Sequence, residues 1–264
     1  MTALTRPVST LGRVFEYRLL TYRRTYRSSL FSSFVSPVLF LTAMGLGLGS
    51  YVSNSAALDG VPYLVFLAPG LLAATAMQTA SFEATFPIIG GLIWNKVFHA
   101  MYATPISPRD VALGNLAWIM ARLALVTGIF TLVIIAFGAY ESPLVILCIP
   151  AAVLTGMAFA GPMAAFSATQ QNPNRFATIF RFVITPLFLF SGTFFPVSSL
   201  PAGLQVLAGL TPLYHGVALT RSLALGTVMD DPAATVIHLV YLVTLAVVGA
   251  YLTTRTIERR LIRG

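Results

Sequence analysis

Residues 142–174 read SPLVILCIPAAVLTGMAFAGPMAAFSATQQNPN and contain no charged side chain. A helix needs about 20 apolar residues to cross the hydrocarbon core of a bilayer, so this stretch is long enough for one crossing. Short charged segments separate it from five other windows without charge, at 28–58, 60–82, 123–140, 182–220 and 232–254. The pattern predicts a polytopic helical membrane protein.

The composition of the whole chain supports this prediction. Of the 264 residues, 57% are hydrophobic and only 9% are charged, and the mean hydropathy is +0.84. A soluble domain carries roughly 25% charged residues, which cover its surface in water. The composition therefore excludes a soluble enzyme, a nucleic-acid-binding domain and a disordered chain, and we expect no nucleic acid among the partners.

The distribution of basic residues predicts the topology. Six arginines precede residue 28 and four follow residue 254, and lysine and arginine are enriched in cytoplasmic segments. Both ends are therefore expected in the cytoplasm, which requires an even number of crossings. With six, only Arg221 of the 16 lysines and arginines falls outside. The expected spans are at about 30–52, 62–83, 115–138, 143–168, 177–196 and 234–254.

Two segments outside the simple spans have patterns of their own. Apolar residues recur at helical spacing in 1–29, with arginines elsewhere on the helix, which predicts an amphipathic helix at the inner headgroup layer. Segment 197–233 lies between spans five and six and contains Pro201, Pro212, His215 and Arg221. We interpret it as broken, re-entrant or interfacial helices on the outer side.

The chain shows no chemistry that would drive transport or catalysis. It contains no GxxxxGK[ST], HExxH or CxxC motif, its three histidines are scattered, and no carboxylate lies in the middle of a predicted span. Glu83 and Arg122 lie near the inner ends of spans two and three, which are antiparallel neighbours. They either form an ion pair or extend independently to the interface. An external energy source is therefore expected.

The longest cytoplasmic loop, 83–110, offers a contact for such a source. Residues 92–104 fit a short helix with one apolar side, which needs a bilayer or protein to cover it. Ser107 is expected to cap the next helix, with Pro108 in its first turn and Asp110 close to its positively charged end.

Two stretches resemble a known family. The sequence ATPISPRD at 103–110, followed by Gly114, resembles the cytoplasmic loop of type-2 ABC export permeases. The sequence ITPLFLFSGTFFPV at 184–197, with LP at 200–201 and PLYHG at 212–216, is similar to the fifth span and outer loop of that family. The resemblance covers essentially the whole chain. It is nearest to the nodulation-factor export permeases, which have drug and polysaccharide exporters as relatives.

The resemblance implies partners. Permeases of this family pair with a second copy of themselves and with two copies of a separate ABC ATP-binding subunit, which carries the ATP and Mg; no cofactor is expected on this chain. The cytoplasmic loop of the family is the coupling helix that docks on the ATPase. Transferred to this sequence, the helix is about 92–104, and the expected ATPase-coupling residues are Leu92, Asn95, Lys96, His99, Met101, Tyr102 and Thr104.

The first and fifth spans of such exporters line the dimer interface and the substrate path. The residues of those spans that we expect to line the path are all phenylalanines: Phe34, Phe40, Phe182, Phe188, Phe190, Phe194 and Phe195. Kinked apolar helices with few charges suit an amphipathic substrate. Each of these rings has the alternative of facing lipid or packing against neighbours.

The resulting expectation is an all-α polytopic membrane protein with six transmembrane helices, an N-terminal interface helix, a cytoplasmic coupling helix and a re-entrant outer hairpin. It forms a single permease domain, 1–264, in the bacterial inner membrane, where it also contacts lipids. Its segments are 1–29, 30–196, 197–233, 234–254 and the tail 255–264. The function expected is ATP-driven export of a lipid-linked, glycolipid or oligosaccharide-type substrate. The alternatives are drug efflux, a secondary carrier and a membrane-embedded lipid-substrate transferase.

Overall fold

The computed structural model describes residues 10–24, 26–48 and 60–263, and every regular element in these ranges is helical. Three parts of the sequence predictions lie outside these residues. They are the start of the interface helix at 1–9, the end of the first span at 49–52 and the outer loop that carries Asp59.

Four helices of the described chain are long and apolar enough to cross a bilayer. They correspond to predicted spans two, three, four and six. We number the helices in chain order; α3 is Tyr63–Glu83, α6 is Pro108–Ala136, α7 is Cys148–Thr169, and α12 is Pro232–Arg263.

The other two predicted spans are less regular. Helix α2, Tyr26–Leu41, continues as a π-helix over Thr42–Leu48. The fifth predicted span consists of α8, Asn174–Ile179, a π-helical turn and α9, Thr185–Phe190. Helix α9 therefore ends six residues before the predicted limit at 196, because Gly192 adopts a positive φ of 86° and the chain turns there.

The remaining helices are short. Helix α1, Thr10–Tyr22, precedes α2. Two helices lie between α3 and α6, namely α4, Phe86–Ile89, and α5, Val97–Tyr102. Two more precede α12, namely α10, Ala202–Gly209, and α11, Pro212–Leu225. The predicted outer segment therefore contains a pair of helices joined by a two-residue turn.

Small residues bring the long helices together. A Cβ on Gly161 of α7 would lie 2.6 Å from the carbonyl carbon of Gly249 on α12, so the two helices cross where neither has a side chain. Thr253 donates a hydrogen bond to the carbonyl oxygen of Gly161 at 2.8 Å in the same crossing. Such close approach lets dispersion contacts stabilise membrane helices, for which lipid offers no hydrophobic driving force.

The helices define two ends of the molecule. At the basic end, the first turn of α6 meets the last turns of α12 through the ion pair between Arg109 and Glu258 at 3.6 Å. Helix α1 joins them there through hydrogen bonds from Thr10 to Asp110 and from Arg18 to Pro87 of the segment 84–107. The opposite end holds α10, α11 and residues 138–142, where the backbone N–H of Glu141 donates to the carbonyl oxygen of Ala224 at 2.9 Å. Helices α3 and α7 run towards the basic end, and α6 runs away from it.

Candidate functional site

The segment between α3 and α6 forms two short helices rather than one. The π-helical turn Gly90–Trp94 closes with a hydrogen bond from the N–H of Asn95 to the carbonyl oxygen of Gly90 at 2.9 Å. Lys96 then adopts the left-handed conformation, with φ of 50°, before α5 begins. The predicted continuous helix 92–104 was therefore wrong. No glycine or proline marks the break, because the left-handed residue is a lysine.

Phe98 fastens α5 to the rest of the protein. Its ring is 1% exposed. A Cβ on Gly91 would lie 2.6 Å from Cε1 of that ring, so only glycine leaves it room. The guanidinium carbon of Arg18, on α1, lies 5.8 Å from the ring centroid on another side. The π-helical turn, α5 and α1 therefore share one contact and are expected to move together.

Arg18 extends this contact to α6. Its Nε donates to Oδ1 of Asn115 at 2.7 Å, and its Nη2 reaches the carbonyl oxygen of Pro87 at 3.5 Å. Burial lowers the pKa of the guanidinium, and the nearby Glu83 carboxylate opposes this shift. An arginine side chain stays protonated in proteins, so Arg18 links α1, α4 and α6 through charge-assisted hydrogen bonds.

Helix α1 packs on the first half of α6. Val14 is buried against Gly114, whose Cβ would lie 2.7 Å from that of Val14. The ring of Trp118 contacts Phe15 and Tyr22, with centroids 5.8 and 5.4 Å apart. The amphipathic helix is therefore held by protein on one face.

The start of α6 confirms the predicted helix cap. The Ser107 hydroxyl accepts from the N–H of Asp110 at 3.1 Å, and the Asp110 carboxylate accepts from the Ser107 N–H, which together form a capping box. Asp110 also accepts a hydrogen bond from the Thr10 hydroxyl at 2.8 Å. The cap thus joins the first turn of α1 to the first turn of α6.

The expected ATPase-coupling residues differ in exposure. Asn95, Lys96 and Thr104 are exposed, and Tyr102 is 41% exposed. His99 is half-buried, and Met101 is half-buried against the core. Leu92 is only 3% exposed, so of the seven expected residues it has the least surface available to a partner. It lies within the π-helical turn and packs into the hydrophobic core.

Trp94 extends the exposed surface of the segment. Its side chain is 54% exposed, next to Asn95 and Lys96. Sequence reasoning missed it, although an aromatic residue in a loop between two spans was a usable signal. Beside this surface, a cavity of about 590 Å³ is lined by Leu92, Ile93, Lys96, His99, Gln171 and Arg260. The segment therefore presents an exposed aromatic surface and, beside it, a cavity with basic side chains that it shares with α12.

Glu83 and Arg122 lie together at the basic end. Arg122 Nε is 3.7 Å from Glu83 Oε1, with the two side chains 11% and 21% exposed. Arg122 also donates to the Tyr22 hydroxyl at 2.7 Å, and its guanidinium lies 4.7 Å from the Tyr22 ring centroid. The contact connects α3 and α6 with α1, close to the segment 84–107.

The structure divides the seven phenylalanines expected on the substrate path. Phe194 forms a cluster with Phe40 and Phe188, at centroid distances of 6.0 and 5.0 Å, and Phe190 lies 6.5 Å from Phe195. Phe34, Phe182 and Phe190 are exposed, with Phe182 at 69%. The rings thus form an inward group and an exposed group instead of one continuous lining.

The exposed rings border two apolar cavities. Phe182 and Phe190 line one of about 240 Å³ together with Leu204 and Leu207 of α10. Phe34 lines another of about 480 Å³ between α2 and α6. These cavities are suited to apolar chains, because their linings are almost entirely apolar and an apolar chain would leave few polar groups unpaired there.

Two of the histidines are not scattered. Nδ1 of His215 on α11 lies 2.7 Å from Nδ1 of His238 on α12, and the ring of Tyr241 stacks on His215 with centroids 4.0 Å apart. The expectation from sequence was wrong, because the two residues meet only when α11 folds back on α12. Within the described ranges, no group of three or more His, Cys, Asp or Glu side chains could hold a metal ion.

Comparison with known proteins agrees with this architecture. Residues 11–225 match the ABC-2 type transporter family. This match covers most of the chain, and the protein therefore belongs to the ABC-2 type transporter family. It is a membrane transport subunit rather than an enzyme, and the family works with an ABC ATP-binding subunit.

Individual relatives are similar over nearly their full length. Nodulation protein J of Rhizobium leguminosarum bv. viciae is 32% identical over 253 residues, covering 95% of this chain and 94% of the relative. Nodulation protein J of Sinorhizobium fredii is 30% identical over 250 residues, covering 94% and 93%. That of Rhizobium meliloti is 29% identical over 248 residues, covering 94% and 92%.

Proposed function

We propose that two copies of this chain form the membrane pathway of an ATP-driven exporter in the bacterial inner membrane. Two copies of a separate ABC ATP-binding subunit bind the ATP and Mg. The observation that carries the proposal is the segment 84–107, which exposes Trp94 and Tyr102 at the basic end while Phe98 anchors it to α1. An exposed aromatic surface on an anchored support is typical of a protein docking site.

The proposed topology has six crossings, with α2 as the first and α8–α9 as the fifth. The basic end is the cytoplasmic one, because lysine and arginine accumulate there. Helices α10 and α11 form the outer re-entrant pair. At the turn between them, the Thr211 hydroxyl accepts from the N–H of Tyr214 and the Tyr241 hydroxyl donates to the carbonyl oxygen of Leu210, and such pairing is the condition for irregular backbone at membrane depth.

Coupling follows from the contacts of the segment. ATP binding closes the partner subunits, and a bound partner shifts the permease only if it contacts its two states with different free energies. Movement of α5 is passed to α1 through Phe98 and Arg18, and from there to α6 through Asn115. Asn95, Lys96, Tyr102 and Thr104, with Trp94, are the proposed docking residues. His99 and Met101 are half-buried and pack beneath this surface, on its protein side.

The proposed substrate is amphipathic and lipid-linked, of the glycolipid or oligosaccharide type. It enters from the cytoplasm or the inner leaflet. The similarity to Nodulation protein J from several rhizobia supports this choice. The exposed Phe34, Phe182 and Phe190 offer apolar surface for a lipid chain along the pathway. The inward rings Phe40, Phe188 and Phe194 pack against the core next to this surface, and Phe195 contacts the exposed Phe190.

A second candidate, efflux of hydrophobic drugs, is favoured by one observation. The cavity at Phe182 and Phe190 is almost entirely apolar in its lining, as sites for hydrophobic small molecules usually are. The glycolipid proposal ranks first because the relatives are nodulation proteins over almost their whole length.

The test is transport by inside-out vesicles that contain the permease and its ATP-binding subunit. We expect uptake of a lipid-linked oligosaccharide to require ATP, and to fail without the ATP-binding subunit or without Mg. A panel with hydrophobic cationic dyes separates the two substrate classes. Transport that follows a proton gradient without ATP would refute the proposal in favour of a secondary carrier. Conversion of the lipid substrate by the permease alone would indicate a transferase.

A further inference from the structure

Arg221 occupies an unusual position at the opposite end of the molecule from the other basic side chains described above. Its Nε donates to the carbonyl oxygen of Phe66 at 3.1 Å, and its Nη2 donates to the carbonyl oxygen of Gly192 at 2.8 Å. The guanidinium carbon lies 3.7 Å from the centroid of the Phe66 ring. A Cβ on Gly70 would lie 3.0 Å from Nη2, so glycine makes room for the guanidinium.

The positive charge of Arg221 has no negative partner among the described residues. Both ion pairs found there involve other arginines, Arg109 and Arg122. The two carbonyl oxygens satisfy Nε and Nη2 but do not neutralise the charge, and Nη1 donates no hydrogen bond within the described chain. A partly buried charge without a counter-ion is costly, so a ligand that supplies the opposite charge would stabilise the site.

Arg221 lines a cavity. It has a volume of about 360 Å³ and lies between α3, the turn 191–198 and α11. No acidic residue lines it. Its polar lining includes, besides Arg221, three residues whose hydroxyls have no hydrogen-bond partner within the described chain: Ser198, Tyr214 and Thr227. A cavity that carries a guanidinium and several hydroxyl groups has the chemistry that binds oxyanions.

The cavity adjoins an apolar one. Ser191 belongs to the lining of both, so the polar cavity at Arg221 and the apolar cavity at Phe182 and Phe190 are neighbours. An amphipathic molecule with an anionic group can therefore place its charged part and its apolar part in adjacent cavities. Neither cavity alone would accommodate both parts of such a molecule.

We propose that the Arg221 cavity binds the anionic oxygen group, a phosphate, sulfate or carboxylate, of an amphipathic molecule whose chain occupies the Phe182 cavity. In the exporter, this is the site that holds the acidic group of the transported molecule at the outer end, a statement that rests on the proposed function. An anionic membrane phospholipid carries the same chemistry, and the experiment separates the two sources.

The experiment measures binding to the full-length permease in nanodiscs of zwitterionic lipid. Isothermal titration calorimetry is performed with octyl phosphate, inorganic phosphate and octyl glucoside, with empty nanodiscs as background. The variants are Arg221→Gln, which removes the charge, Arg221→Lys, which keeps it, and Ala218→Leu, which fills the cavity and leaves Arg221 in place. Arg255→Gln is the matched control, because it removes an exposed arginine outside the cavity.

We expect octyl phosphate to bind the wild type and Arg255→Gln equally, and at least tenfold more weakly to Arg221→Gln and Ala218→Leu. Arg221→Lys should lie closer to the wild type than Arg221→Gln, and octyl glucoside should show no dependence on Arg221. Equal affinities for octyl phosphate in the wild type, Arg221→Gln and Ala218→Leu would overturn the proposal. Ala218→Leu keeps the test informative if Arg221→Gln does not fold.

Native mass spectrometry of permease extracted from membranes identifies the source. Anionic phospholipid that copurifies with the wild type and is lost in Arg221→Gln supports a resident lipid at the same site. An empty site in the extracted protein, with octyl phosphate binding intact, supports the transported molecule. If Arg221→Gln loses anion binding but keeps normal ATP-dependent transport, the anion site stands and its role in export is overturned. Intact anion binding without ATP-dependent transport in the wild type would instead refute the proposed function.

Discussion

Gly114 determines how closely α1 can approach α6. Its missing side chain leaves the space that Val14 fills, and a Cβ there would lie 2.7 Å from Val14 Cβ and 3.2 Å from the carbonyl oxygen of Leu11. We expect Gly114→Val to destabilise the protein by about 1–3 kcal/mol, as overpacking usually does. Thermal unfolding in detergent measures the loss.

Gly128 is the matched control for Gly114, since it lies on the same helix and a Cβ there would meet nothing within 4 Å. Gly128→Ala should leave the unfolding temperature unchanged or raise it, because alanine is the better helix former. An equal loss in both variants would show that the helix, rather than the α1 contact, is sensitive at these positions.

Lys96 carries a backbone conformation that suits glycine better. Its φ of 50° is in the left-handed region, which costs a residue with a Cβ roughly 1–2 kcal/mol. We therefore expect Lys96→Gly to preserve or raise the unfolding temperature and Lys96→Val to lower it. Both variants remove the ammonium group, so a transport defect shared by the two reports the charge, and one found only in Lys96→Val reports the turn. A higher unfolding temperature in Lys96→Val would contradict the strained turn.

At the scale of elements, α5 and the turn before it form the proposed docking surface. Tyr102→Glu places a charge on its exposed side, and leaving such a charge unpaired in an interface costs several kcal/mol in order of magnitude. We expect Tyr102→Glu to lose copurification of the ATP-binding subunit and to lose transport, with the permease still inserted. Tyr102→Phe should retain both. Trp94→Glu should behave as Tyr102→Glu does.

Met101 is the contrasting position on the same helix. Its side chain is half-buried against the core, so Met101→Glu should reduce the unfolding temperature as well as docking. Full retention of the ATP-binding subunit and normal transport in both Tyr102→Glu and Trp94→Glu would show that the docking surface lies elsewhere.

At the scale of the whole molecule, the prediction is six crossings with both ends in the cytoplasm. Cys148, the single cysteine, is buried and can be replaced by alanine to give a background without thiols. New cysteines at Gly203, on the predicted outer side, and at Arg260, near the C-terminus, then report the two sides of the membrane. A membrane-impermeant maleimide should label position 203 in intact cells and position 260 only after lysis. Labelling of position 260 in intact cells would refute the topology.

The sequence by itself determined the membrane class, the positions of the long helices and the cap at Ser107. These properties are local. Whether a segment of about 20 residues prefers the bilayer depends on the sum of its own side-chain transfer free energies, and a cap depends on residues three positions apart. The resemblance in residues 103–110 and 184–197 was likewise visible without coordinates, and it placed the chain in its family.

Only the tertiary structure decided which side chains meet. The break at Lys96, the burial of Leu92, the contact of His215 with His238 and the two adjoining cavities at Ser191 all depend on the faces that the helices turn towards one another. In nearly uniform apolar helices, hydropathy does not distinguish a face that packs from one that meets lipid. Small residues and a few long-range hydrogen bonds make that choice, and they join positions far apart in the chain, such as Gly161 with Thr253 and Phe66 with Arg221.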